Sequence, residues 1–352
     1  MYFICDMRRG YAACTINLLQ HQTIYGTVQA ALQWYREMYL SLNYLQWNKS
    51  NINPCLWYKW MDGYLIVFLL WVDDCFVVGP KQLVLEESMR FREVYDTTDE
   101  GEADEYVGCK LTQTKEYLKL TQPVKIRRLI DEFGYSGKKS LQTPVQPKSN
   151  LAFEAKDNPQ AKETNAKKYA SVIEMLLHVA RNSRPDCINP MQECSGFMSN
   201  VKKACIDHCD YLCNYIIPTK ERGYMIKPDK TNWDRMQDYL FIVPRESNAD
   251  WAKNPSRRSV NSGCTFVNGA MMKIFSQMMK TIALSTTKAE LNAAVLTVMD
   301  MLLAYYILVS LRLTVKLPIC TLITRHAGTF KHTYTKAVPK VVVVVTQWKH
   351  GF

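Results

Sequence analysis

Leu65-Ile66-Val67-Phe68-Leu69-Leu70-Trp71-Val72-Asp73-Asp74-Cys75-Phe76-Val77-Val78-Gly79 sets two adjacent carboxylates inside an apolar, β-branched run. Both flanks predict buried strands: the side chains are bulky, no helical period is present, and Gly79-Pro80 is a stop. A charged pair between two such strands is costly to bury unless it sits at a hairpin tip or holds a cation. Alternation sends neighbouring side chains to opposite faces, so the two aspartates share one site only where the chain turns. Two readings follow. One is a hairpin-tip pair that binds divalent metal; the other is an ordinary β-turn, where Asp is a common residue.

The bulk composition narrows the field. At 352 residues and 47% hydrophobic content, the chain is long enough for two or three domains with a substantial core. A formal net charge of +11 points to a polyanionic partner, nucleic acid first and an acidic membrane surface second. The basic residues, among them Lys125, Arg127, Arg128, Lys202, Lys203, Arg257 and Arg258, are spread out like a track. Met1-Tyr2-Phe3-Ile4-Cys5 runs at once into Asp6, Arg8 and Arg9, which predicts no secretion signal and an intracellular protein, in cytoplasm or nucleus. The longest apolar stretches, 65–72 and 299–309, fall short of the roughly twenty residues a bilayer takes, so no membrane is expected.

Twelve cysteines without paired spacing predict reduced thiols. Cys205, Cys209 and Cys213, beside His208, form an i, i+4, i+8 series. Zinc would need four convergent ligands, so the preferred reading is a helix with sulfur on its buried face.

Along the chain, helical spacing covers 28–44, strands are predicted at 55–59 and 64–72 around a Met61-Asp62-Gly63 turn, and a helix at 81–95. A strand pair at 106–111 and 117–120 precedes a basic helix over 124–133, ended by Gly134. Residues 137–157, rich in Pro, Lys and Ser, read as a linker. Two helices, 166–182 and 191–215, flank Ser183-Arg184-Pro185-Asp186. Strands resume near Tyr239, followed by a long helix over 288–311. The tail, 321–352, fits no pattern.

Several landmarks fall in order. Thr23-Ile24-Tyr25-Gly26-Thr27-Val28-Gln29-Ala30-Ala31 with Trp34-Tyr35 resembles an "LYGLKQA…W" element, and Trp71-Val72-Asp73-Asp74 a "YVDD" motif. Glu105-Tyr106-Val107-Gly108 and Leu120-Thr121-Gln122-Pro123 follow at matching positions. Tyr169-Ala170-Ser171, Ser183-Arg184-Pro185-Asp186 and Phe197-Met198-Ser199 come next. Ala249-Asp250-Trp251-Ala252, Arg257-Arg258-Ser259, Ser262-Gly263 and Ala283-Leu284-Ser285-Thr286-Thr287-Lys288-Ala289-Glu290 complete the series. In order and spacing, from about residue 15 to 320, the chain resembles the reverse transcriptase–RNase H region of copia-type LTR retrotransposon polyproteins.

That resemblance implies an α+β architecture: a partial polymerase palm with a strand–Asp-Asp–strand hairpin, a helical thumb/connection and an RNase H-like α/β terminal domain. The expected divisions are 1–136 for the palm with incomplete fingers, 137–157 for the linker, 158–235 for the helical module and 236–352 for the RNase H-like part with its degenerate tail. Palms of this kind use two-metal phosphoryl transfer, with Mg²⁺ or Mn²⁺ as the ion. Asp73 and Asp74 would be catalytic metal ligands, and Tyr25, Gly26 and Gln29 would border the nucleotide and template. Asp6, in Asp6-Met7-Arg8-Arg9-Gly10-Tyr11, fits the upstream third carboxylate. It stands only nineteen positions before Tyr25, however, where the family has a few dozen more residues. A second register reads Arg9-Gly10-Tyr11 as a later element and leaves Asp6 as surface. This truncated register is preferred.

RNase H domains use an Asp-Glu-Asp set around two Mg²⁺ ions about 4 Å apart. The Glu is matched by Glu290. The first Asp aligns with Asn248, a neutral carbonyl where the ion needs charge. Asp250, two residues on and about 6.5 Å away along a strand, is a poor substitute metal ligand. The second Asp aligns with Thr324, or else Thr324-Arg325-His326 matches a later "TRH" element with the Asp strand deleted; in both readings that ligand is absent. The resemblance therefore implies an RNA-directed DNA polymerase with an RNase H-like domain, catalytically impaired at Asn248 and Thr324. Its partners would be an RNA template, an RNA/DNA hybrid and a complementing polyprotein chain. The rival reading is a non-catalytic nucleic-acid-binding or relic protein that keeps only a basic groove.

Overall fold

The computed structural model describes residues 2–4, 28–71, 74–95, 99–106, 108–137, 141–147, 149–229, 239–252, 254–316, 320–322 and 341–343. They form a mixed helix-and-sheet structure in two compact units. The first comprises 1–104, 232–241 and 306–315; the second comprises 105–231, 242–305 and 316–352.

The first unit holds an antiparallel sheet. Its strands are β1 (Tyr2–Ile4), β2 (Asn48–Lys49), β3 (Leu56–Met61), β4 (Tyr64–Trp71), β5 (Asp74–Val78) and β6 (Asp99–Glu102), in the order β2-β3-β4-β5-β1-β6. The tight turn between β3 and β4 uses Asp62 at φ 51° and Gly63 at φ 82°, the pair of positive angles that matches strand twist. Helices α1 (Val28–Tyr44) and α2 (Lys81–Val94) contribute Met38, Leu42, Val84 and Phe91 to the same core as Trp57, Ile66, Phe68 and Val77. Each helix buries one stripe at helical spacing, as its sequence predicts.

The second unit begins with β7 (Glu105–Tyr106), β8 (Cys109–Gln113), β9 (Leu118–Thr121) and α3 (Pro123–Asp131). Gly134, at φ +72°, follows the end of α3, a conformation that costs glycine little. Next come α4 (Leu151–Glu154), α5 (Glu163–Asn182), α6 (Ile188–Ser195), α7 (Lys203–Ile216) and β10 (Tyr224–Ile226), which joins the sheet in the order β10-β9-β8-β7. Leu151, Ile173, Leu176 and Leu212 share one helical core with Ile126 and Leu129 of α3.

Two differences from the sequence expectation stand out here. Residues 105–136 group with the helices, and the stretch expected as a linker carries α4, whose Leu151 is fully buried. Asn150 caps α4 by accepting from the Ala152 and Phe153 backbone N–H groups. The helix expected over 191–215 is two helices. Gly196 ends α6, and the backbone at Val201 turns outward to accept from the Ala161 N–H at 3.0 Å, so its hydrogen bond is made outside a helix.

Further along, β11 (Leu240–Phe241) belongs to the first unit. In the second unit, β12 (Arg245–Asp250), β13 (Val260–Val267) and β14 (Ala270–Met278) make a three-stranded antiparallel sheet. α8 (Thr286–Ser310) follows, with its residues up to 305 in the second unit and 306–310 in the first. Then β15 (Thr314–Val315) pairs in parallel with β11. β16 (Cys320–Leu322) and β17 (Val341–Val343) are antiparallel.

Contrary to the expectation from apolar runs, α8 is long and apolar enough to cross a membrane by length and composition. The run-based reading missed this because Ala293, Ala294 and Thr297 interrupt the bulky side chains before Met299 without adding much polarity.

Candidate active-site elements

In the first unit, β4 and β5 are held in a register that sets Trp71 opposite Asp74, Leu70 opposite Cys75 and Leu69 opposite Phe76. Asp74 therefore starts a strand at the end of a buried pair. Asp6, Tyr25, Gly26, Asp73 and Thr324 lie outside the described residues. Gln29, in the first turn of α1, and Asp74 are placed by backbone alone. Beside this pair, α2 is tied to the sheet by a buried carboxylate. Glu87, 2% exposed, takes both its oxygens to Lys59 of β3 at 3.0 Å and one to Arg90 at 3.0 Å. Lys59 also donates to the Leu45 carbonyl.

In the second unit, the residues matched to the RNase H series fall on β12 and α8. The register sets Asn248 opposite Ser262, Ala249 opposite Asn261 and Asp250 opposite Val260. Residues directly opposite share a face, so Asn248 and Asp250 look one way and Ala249 the other. Ala249 packs against Met279, Ala283 and Ala289, the last of these on α8.

Glu290 accepts a hydrogen bond from the Ala249 backbone N–H. Burial pushes its carboxyl above the usual range, and that N–H only partly offsets the shift. Helix α8 starts at Thr286, so Glu290 lies in its second turn, beyond the N–H groups that the helix end leaves open. The structure thus brings Glu290 to the strand, but at Ala249. Asp250 instead lines a small pocket of about 110 Å³ with Glu193, Asn254 and Arg258. Among the described residues no group of three or more His, Cys, Asp or Glu is arranged to hold a metal ion. Among the described residues, the carboxylates at this junction do not fit a two-metal site.

Sequence reading gave no physical reason for Ser262-Gly263. The reason lies across the layer: a Cβ at Gly263 would stand 2.2 Å from Thr297 Oγ1 of α8 and 2.8 Å from Phe275 Cε1. The glycine lets α8 seat itself on the sheet, and a glycine inside a strand is the available signal for such a close approach.

The helical motifs prove to be interlocked. Arg184, 1% exposed, grips Asp186 with two bonds of 2.9 and 2.8 Å, donates to the Thr219 carbonyl at 3.2 Å and lies over the Tyr215 ring. Tyr215 in turn donates to Asp186 Oδ2. Burial would push the Asp186 carboxyl up, but Arg184 and the Tyr215 hydroxyl hold it below its ordinary value.

Two motifs distant in sequence meet nearby. Ser183 Oγ donates to Gln122 Oε1 at 2.9 Å, and Gln122 Nε2 reaches His178 Nδ1 at 2.8 Å. Lys125 Nζ is 2.9 Å from the same ring nitrogen. Burial, then Lys125, push the His178 pKa down, so the ring is neutral and its Nδ1 accepts. Cys205, Cys209 and Cys213 are all buried on α7, while His208 Nε2 pairs with Glu154 at 2.8 Å.

Residues 15–147 match the family described as reverse transcriptase (RNA-dependent DNA polymerase). Over 301 residues the chain is 25% identical to the retrovirus-related Pol polyprotein from transposon TNT 1-94 of Nicotiana tabacum, covering 84% of this chain and 22% of that polyprotein. Over 199 residues it is 23% identical to the transposon Ty5-1 protein of Saccharomyces cerevisiae, covering 56% of this chain and 63% of that protein. The chain thus spans less than two thirds of either relative. No solved structure matches.

Proposed function

We infer, from the premise that residues 15–147 are a reverse transcriptase region of retrotransposon origin, that the chain descends from an RNA-directed DNA polymerase joined to an RNase H-like module. The observation that carries the reading is the β4–β5 pair. It lies inside the matched region, and its register leaves only Val72 and Asp73 between Trp71 and Asp74. In that reading Asp73 and Asp74 hold a divalent ion at the hairpin end, and the ion supplies charge for phosphoryl transfer. β1 pairs antiparallel with β5, Ile4 opposite Cys75. Asp6 is the candidate for a third carboxylate in the complete-palm register and surface in the truncated register.

The RNase H-like half is proposed as catalytically impaired. Asn248 supplies no charge, and Asn248 and Asp250 share a face of β12 that Ala249 does not. Assay on a primed RNA template and on an RNA/DNA hybrid with Mg²⁺ or Mn²⁺ tests both halves. Primer extension abolished by Asp73→Asn supports the polymerase assignment; Asp6→Asn abolishes it only where Asp6 is the third carboxylate and leaves it unchanged in the truncated register. Hybrid cleavage above a Glu290→Gln control would defeat the impairment. The net charge of +11 favours the second reading, nucleic-acid binding without turnover. That reading stands if hybrid binding weakens steeply with salt while neither activity appears.

A further inference from the structure

We propose that Lys125 and His178, steadied by Gln122 where α3 packs on α5, form a binding site for a phosphate group. The site is read from a surplus of donors. Three side-chain nitrogens converge on His178 Nδ1: Gln122 Nε2 at 2.8 Å, Lys125 Nζ at 2.9 Å and Asn182 Nδ2 at 3.3 Å. A neutral imidazole offers one lone pair there, enough for one strong bond. Gln122 and Asn182 also reach carbonyls, Gly108 O at 3.4 Å and His178 O at 2.9 Å. Lys125 does not: among the described residues His178 Nδ1 is its one acceptor, although an ammonium carries three N–H groups. With Nδ1 accepting, the ring proton sits on Nε2, a further donor without a partner among the described residues.

Charge and placement select an oxyanion. Among the described residues no carboxylate pairs with Lys125. Glu174 and Arg181, a turn before and after His178 on α5, are both exposed and offset one another. Lys125 is also held in place. A Cβ at Gly108 would stand 3.6 Å from its Cε, and its Nζ is fastened to the ring. The ammonium is therefore positioned before a ligand arrives, which spares rotamer entropy on binding. The end of α3 adds to the field: Gln122 gives its Oε1 to Ser183 and leaves the helix without a side-chain cap. Water can satisfy single donors, but a phosphate brings several acceptor oxygens and the missing negative charge together. The inference rests on the nucleic-acid reading above only for the source of the phosphate, a strand backbone or the free ion.

Fluorescence anisotropy of the full chain with a short labelled RNA/DNA hybrid, from about 50 to 200 mM KCl, is the test. It needs no turnover, so a failed polymerase assay leaves it intact. Lys125→Gln should lower the slope of log affinity against log salt by about one and weaken binding on the order of tenfold at the low-salt end. Lys115→Gln, in the turn at the far end of the β8–β9 hairpin, controls for general charge and should leave the slope nearly unchanged. His178→Phe removes both the anchor of Lys125 and the ring N–H. It should match Lys125→Gln, and the double variant should be no worse than either. His178→Gln keeps an acceptor for Lys125 and brings its own N–H, so it should bind like the wild type; this rescue separates the site from a folding defect. Melts in about 20 mM inorganic phosphate, against chloride of equal ionic strength, identify the source. Hybrid affinity that depends on Lys125 assigns the phosphate to the strand. Hybrid affinity that does not, with phosphate raising the melting temperature of the wild type but not of Lys125→Gln, assigns it to the free ion. Three results overturn the proposal: a loss in Lys115→Gln as large as in Lys125→Gln, a loss in His178→Gln as large as in Lys125→Gln, or no effect of Lys125→Gln in either measurement.

Discussion

Around Arg184 the chain supplies what a buried charge requires: two bonds to Asp186, one to the Thr219 carbonyl and the face of Tyr215. Around Glu290 it supplies the Ala249 N–H, and among the described residues no cation moves its pKa. Both groups lie in the same compact unit, and both are drawn from water. The first arrangement is self-sufficient, so its charges serve the fold. The second leaves a carboxylate short of compensation, as expected where the balancing charge comes from outside the chain. In the reading proposed above, that outside charge was a metal whose other ligands this sequence has lost.

The largest expected effect tests the self-sufficient side. Asp186→Asn removes the counter-charge of a guanidinium that is 1% exposed, and breaking such a pair typically costs 3–5 kcal/mol. Because Asp186 is itself partly exposed, a loss near 3 kcal/mol is expected, read as a lower urea midpoint of the helical signal. A loss under about 1 kcal/mol would mean that Arg184 finds water or other partners, and the contrast with Glu290 would collapse.

On the sheet side, Gly263→Ala sets a methyl against Thr297, a β-branched side chain with few rotamers, fully buried and bonded to the Ala293 carbonyl. Overpacking of this kind costs about 1–3 kcal/mol. Adding Thr297→Ala should recover most of it in thermal melts. If the double variant is no better than the single one, Phe275 is the obstacle, and α8 does not rest on the glycine.

The pH dependence separates the regions again. His178 has a lowered pKa, so the folded protein resists the proton that the unfolded chain binds readily. Its contribution to stability is fully present above the unfolded value near 6.5 and is lost as pH falls through the lower folded value. Melting temperatures should fall below pH 6.5 in the wild type and fall less in His178→Gln, whose amide oxygen can still accept from Lys125. Equal slopes in the two proteins would remove His178 as the titrating group.

What the sequence made legible follows the reach of each signal. α1 was expected at 28–44 and spans Val28–Tyr44; α8 was expected at 288–311 and spans Thr286–Ser310. Long helical stripes carry their own evidence in a window of a few turns. The break between α6 and α7 was not legible, because it depends on residues 160–161 pairing with 201–202 from forty positions away. The pairing of β10 with β9 is non-local in the same way. At the candidate sites, the family resemblance named Glu290, Asn248 and Asp250 together. Strand alternation then set the last two on the face away from Ala249, which motif spacing alone does not encode.

Glu290→Gln should have the smallest effect, and its sign is the informative part. The folded pKa of Glu290 is raised, so the native state holds its proton to higher pH than the unfolded chain does. Stability from this group is therefore greatest below the unfolded value of 4.5 and is lost as pH rises through the raised folded value. At neutral pH the ionised carboxylate is a small burden. Glutamine removes that burden while its carbonyl still accepts from the Ala249 N–H. The variant should be more stable than the wild type at pH 7, by a fraction of a kcal/mol because the group is only partly buried, and the gap should close near pH 4. Melts repeated with Mn²⁺ sharpen the comparison. With Asn248 neutral and Asp250 turned to the other face, the ion should leave the gap unchanged. A rise in the wild-type melting temperature alone would show that Glu290 still recruits a cation from outside, and that the junction has lost less than its register implies.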